Sequence, residues 1–122
     1  MLTCEELLLI HYLLREEPGD ETVQVSEQFR NDLERLSTAA PSSPTINDLV
    51  DLASDLTMLI VKSKVFPTHN GRVAVVAGCV VFAMHGYQTN VDWTEIENVA
   101  VMLENTTWTR NKLVEWFERI TA

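Results

Sequence analysis

The chain has 122 residues, and its formal net charge of -9 gives a sequence pI near 4.6. Apolar residues make up 46% and charged residues 22%, the balance of one folded domain and not of a disordered segment. The acidity excludes broad nucleic-acid or anionic-membrane binding, because both partners would be repelled, and leaves room for a compact anion such as a nucleotide.

Thr3 and Glu6 stand at capping-box spacing, and Leu7, Ile10, Leu13 and Leu14 recur at helical intervals. This predicts a first helix that stops at Pro18-Gly19. Glu5 and Glu6 come early and no basic flank precedes the apolar run, so the start is not a secretory signal and a cytoplasmic protein is expected. A second helix is predicted from Ser26 to Ser37, with Phe29, Leu33 and Leu36 inward and Glu27, Arg30, Asp32, Glu34 and Arg35 toward water. The segment from Ser37 to Pro44 is linker-like but too short to separate domains, and it predicts a surface loop with a short extended piece. A third helix follows from Thr45 or Asn47, burying Leu49, Leu52, Ala53, Leu56, Leu59 and Ile60, with Lys62 near the end where the helix dipole favours a cation.

Residues 57–90 contain no Asp or Glu, and Lys62, Lys64, His69 and Arg72 all fall inside that window. The loop from Lys64 to Arg72 is therefore a basic island in an acidic chain. Asn70-Gly71 turns the backbone into a fourth helix, whose opening N–H groups and positive dipole end suit an anion. The same residues also suit a solvated loop in which Asn70 and Gly71 serve only the turn.

The fourth helix, Gly71 to about His85, is apolar all round and therefore central, although its β-branched residues would also suit a buried strand. At about twelve residues, its apolar run is too short to cross a bilayer of ~30 Å. Asp92 with Glu95 predicts a capped fifth helix carrying Ile96, Val99, Ala100 and Leu103, broken at Asn105-Thr106-Thr107. A sixth helix from about Thr109 has Leu113, Trp116, Phe117 and Ile120 on one side. Cys4 and Cys79 lie far apart in helical patterns, which predicts free thiols and neither a disulfide nor a metal site. His11 and His85 suit helix-surface or partly buried positions, and Trp93, Trp108 and Trp116 suit core or rim packing.

The order of elements and the loop at residues 64–72 resemble the Fic/Doc family, in particular the short death-on-curing toxins. The family's loop reads His-x-Phe-x-Asp/Glu-x-Asn-x-Arg, and Phe66, Asn70, Gly71 and Arg72 match it in place. The early Glu-Glu-Leu, the Gly86 turn and two closing helices extend the resemblance over nearly the whole chain. It implies an all-α, six-helix, single-domain fold with a central apolar helix preceded by an anion-binding loop. It also implies transfer of a phosphoryl or nucleotidyl group from ATP, or a related nucleotide, to a protein hydroxyl. Asn70, Gly71 and Arg72 would then bind phosphate, and Phe66 would anchor the loop.

Two positions depart from the family. Lys64 replaces the general-base His, and an ammonium that keeps its proton at neutral pH cannot accept one from a hydroxyl. Thr68 replaces the metal-binding carboxylate, and its neutral hydroxyl is a weak ligand for Mg²⁺. The candidate catalytic residues are thus Lys64, which can pair with a phosphate, and His69, the imidazole inside the loop. The expectation is a degenerate, non-catalytic member that keeps the nucleotide loop and binds a protein target or an antitoxin-like partner. The alternatives are an active toxin-type transferase and a structural interaction protein. The Ser37–Pro44 loop corresponds to the family's target-docking flap.

Overall fold

The computed structural model describes residues 1–15 and 23–122, and the helix stop expected at Pro18-Gly19 lies outside the described residues. Six helices and no strand occur among the described residues: α1 Cys4–Leu14, α2 Glu27–Ala39, α3 Ile46–Ser63, α4 Asn70–Ala83, α5 Trp93–Glu104 and α6 Arg110–Ile120. None is long and apolar enough to cross a membrane.

Five helices begin with a side-chain cap that satisfies an otherwise orphaned N–H. Thr3 and Thr45 form full capping boxes with Glu6 and Asp48. Ser26, Asp92 and Thr109 accept from Phe29, Glu95 and Lys112 at 3.1, 2.8 and 3.3 Å. The box expected at Asp92 is only half formed, because the Glu95 carboxylate turns to α6 and accepts from Trp116 Nε1 at 3.2 Å and from Arg119. α4 differs from the rest: its N-cap, His69, makes no side-chain cap bond.

Two helix ends depart from expectation. α2 runs past Ser37 to Ala39, since the Thr38 hydroxyl donates back to the Glu34 carbonyl at 2.8 Å and the Ala40 N–H to Ser37 at 3.3 Å, and Ala40 beyond it is extended without forming a strand. α4 stops at Ala83, short of His85, where the His85 and Tyr87 N–H groups both converge on the Phe82 carbonyl and Gly86 takes φ 82°.

α4 is the centre of the domain, packing on α1, α3 and α5, while α3 packs on α2, α4 and α6. Val73, Ala74, Val75, Ala77, Gly78, Val81 and Phe82 of α4 are all buried, as an all-round apolar helix requires. Both α6 and α3 approach α4 closely at Gly78, where an added Cβ would lie 2.5 Å from the Phe117 ring of α6 and 2.6 Å from Thr57 Oγ1 of α3. The buried Thr57 hydroxyl is satisfied across the α3–α4 seam by the Ala74 carbonyl at 3.0 Å.

Candidate functional site

The loop between α3 and α4 is framed by two left-handed residues, Lys64 (φ 48°) and His69 (φ 57°). Lys64 ends α3 by donating its N–H to the Ile60 carbonyl at 3.1 Å, and its side chain is exposed. Phe66 turns inward, is only 3% exposed, and stacks on the buried His11 ring with centroids 4.9 Å apart and planes 12° apart. His11 is therefore a core residue beneath the loop and not a surface histidine.

Asn70 ties the loop to itself. Its Oδ1 accepts from the Phe66 N–H at 3.1 Å and its Nδ2 donates to the Ile60 carbonyl at 3.0 Å. Both ends of the amide are engaged in closing the turn. Arg72, in the first turn of α4, places Nη1 3.2 Å from His69 Nδ1 and Nη2 3.9 Å from Glu97 Oε1. A guanidinium only donates, so His69 meets it with Nδ1 as acceptor. Thr68 is exposed on the loop.

The missing cap of α4 is supplied from elsewhere in the chain. The Gly71 N–H donates to Glu104 Oε1 at 2.7 Å, across 33 residues of sequence. Glu104 is the last residue of α5, the negative end of that helix, where a carboxylate is disfavoured. Set against the positive start of α4, the same carboxylate is favoured. The bare Gly71 leaves room for the carboxylate in this position, since a Cβ there would overlap it unless the Glu104 side chain shifted. The joined elements border a cleft of about 540 Å³ lined by Lys62, Lys64, Phe66, His69, Asn70 and Glu104, among others.

Lys64, His69 and Asn70 thus line one cleft with Lys62 and Glu104, the Gly71 amide is bonded to that Glu104, and Arg72 turns to His69 and Glu97. The arrangement can hold an oxyanion. Among the described residues no group of three or more His, Cys, Asp or Glu could hold a metal ion. Glu104 is absent from the sequence reading because no local pattern links it to the loop. Two signals stood in the sequence: a Glu at the final turn of α5, and a Gly where the preceding helix, α4, opens.

The other aromatic and imidazole candidates lie away from the loop. His85 is exposed with Nδ1 3.1 Å from the Val81 carbonyl, Trp93 is exposed, and Trp116 is buried against Phe117. Comparison of the chain with protein-family models, curated proteins and solved structures finds no match.

Proposed function

We propose that this chain is a degenerate Fic/Doc-like binding protein whose loop between α3 and α4 holds the phosphate of ATP or a related nucleotide without transferring it, and which binds a protein partner. One observation carries the reading: a carboxylate oxygen already sits 2.7 Å from the Gly71 amide at the opening of α4. A phosphate oxygen has the same charge and accepts the same hydrogen bond, so it would take that position once Glu104 moves aside. Lys62 and Lys64 line the same cleft and would offset the remaining phosphate charge. Lys64 supplies no base, and His69 directs Nδ1 at Arg72, which supports binding over transfer. The exposed residues Pro41, Ser42 and Ser43 are the place we assign to the partner.

Calorimetric titration with ATP, GTP and AMP, with and without Mg²⁺, tests the site. ATP is expected to bind, Arg72→Ala to weaken it, and Glu104→Ala to tighten it several-fold by removing the internal competitor. Absence of heat for every nucleotide in all three proteins would sink the nucleotide reading. Incubation of a cell extract with α- or γ-labelled ATP separates binding from transfer; labelled protein above the no-enzyme control would replace the non-catalytic reading with the transferase one.

A further inference from the structure

The geometry points to a second binding site, between α5 and α6, for a small uncharged aromatic molecule bearing a hydrogen-bonding group. α5 packs on α4 and α6 packs on α3, and the two helices, joined by one turn, are tied at their other ends by Glu95 of α5 to Trp116 and Arg119 of α6. Between them lies a cleft of about 390 Å³ walled by Asn98, Val99 and Met102 of α5 and by Lys112, Glu115 and Trp116 of α6, with Trp108 at the closed end. That volume lies within the ~300–1,000 Å³ common for ligand clefts, and the cleft shares no lining residue with the one at the loop between α3 and α4.

The floor is aromatic and fixed in place. Trp116 is 5% exposed, its ring leans on Phe117 with centroids 5.1 Å apart, and its Nε1 donates to Glu95 at 3.2 Å. Trp108 meets it edge-on, with centroids 6.4 Å apart and planes 64° apart. Two rings set nearly at right angles offer a third ring an edge and a face together. Met102, 40% exposed at the mouth, supplies an adaptable apolar wall.

The charges around this floor cancel. Glu95 accepts from Arg119 as well as from Trp116, and Glu115 faces Lys112 at 4.0 Å. Two acids answer two bases, so an ion entering the cleft gains little and disturbs a pair already made. Lys112 Nζ also lies 5.8 Å from the Trp108 centroid, which gives that indole its own cation. The exposed Asn98 amide offers both a donor and an acceptor at the rim, the counterpart of a polar ring substituent. A neutral planar ring with one hydrogen-bonding group matches each of these features.

Three probes sharing one ring test the assignment: indole, indole-3-acetate and tryptamine, titrated into ¹⁵N-labelled protein and followed by the tryptophan indole N–H and asparagine amide resonances. Indole should move the Trp108 and Trp116 signals and the Asn98 amide in a saturable way, while Trp93, which does not line the cleft, stays still. Both charged probes should bind several-fold more weakly. Met102→Lys places a charge at the exposed mouth and should abolish saturation while the rest of the spectrum keeps its dispersion. No saturable shift with indole, an equal shift at Trp93, tighter binding of either charged probe, or unchanged binding in Met102→Lys would each overturn the proposal. A groove that serves a partner's helix instead would give the first of those results.

Discussion

Glu104 shows how a single side chain can complete a structure that its own neighbourhood disfavours. Its carboxylate takes the Gly71 N–H, and the missing Cβ at Gly71 makes room for it. Gly71→Ala should therefore expel the carboxylate and destabilise the fold by about 1–2 kcal/mol. In a Glu104→Ala background the same substitution should cost less, with a coupling of about 1 kcal/mol by urea denaturation of the four proteins of the cycle. Additive effects would show that the two residues act separately. Cysteine gives a second test at this scale. Burial pushes the Cys79 thiol up to about 11, against a smaller opposing effect of its hydrogen bond with Thr89, and burial also raises Cys4. At pH 8 the Cys79 thiolate is then about one part in a thousand. Ellman's reagent should react slowly with the native protein and with both thiols after denaturation; fast reaction of the native form would contradict the burial. Phe66 was legible in the sequence as an inward anchor, and it is buried. Its partner His11 was not, because a histidine in an amphipathic helix carries no mark of which ring it will stack against.

At the level of elements, helix starts were far easier to read than helix ends. Thr3, Ser26, Asp92 and Thr109 each stand where a capping oxygen is needed, and Thr45 was one of two candidates for α3. Ends depend on where the last carbonyls find donors, and α2 outran its expected stop because Thr38 bonds backward within the helix. The turn between α5 and α6 is harder still. Glu104 ends one helix and Arg110 begins the next, each charge at the wrong pole of its own dipole. Both are directed across the fold: Glu104 to Gly71, and Arg110 Nε to Asp55 Oδ1 at 2.7 Å with Asp51 at 3.4 Å from Nη2. A charge that opposes its helix is thus a clue to a tertiary tie, although the sequence does not say to what. Gly78 is the element-scale counterpart. A methyl there would press on both the Phe117 ring and the Thr57 hydroxyl, so Gly78→Ala should cost about 1–3 kcal/mol in chemical denaturation despite its better helix propensity. A gain in stability would mean that the seam can widen.

For the whole molecule, the central place of α4 followed from one pattern, an apolar run with no polar face, while the helical class rested on the caps and helical spacings of the other elements. The list of neighbours did not follow, because burial on every side does not say which helix lies on which. The structure resolves this by packing α3 and α4 on each other and setting the other helices around that pair, with Phe117 of α6 also reaching Gly78 and Phe82 of α4. That pair is also contiguous in the chain, joined by the loop of residues 64–69. Bringing it together closes a short loop and costs little chain entropy, whereas the α3–α6 contact must close a much longer one. The α3 side of the seam at Gly78, where Thr57 lies, should accordingly form at the folding barrier, before α1, α5 and α6 settle onto the pair. Stopped-flow measurements on Gly78→Ala should show slower refolding from its clash with Thr57 of α3, together with faster unfolding from its clash with Phe117 of the late-arriving α6. Normal refolding with accelerated unfolding would place the nucleus elsewhere in the molecule. On this view the close approach that a bare glycine permits between two successive helices decides how quickly the chain finds its fold, as well as how tightly it holds it.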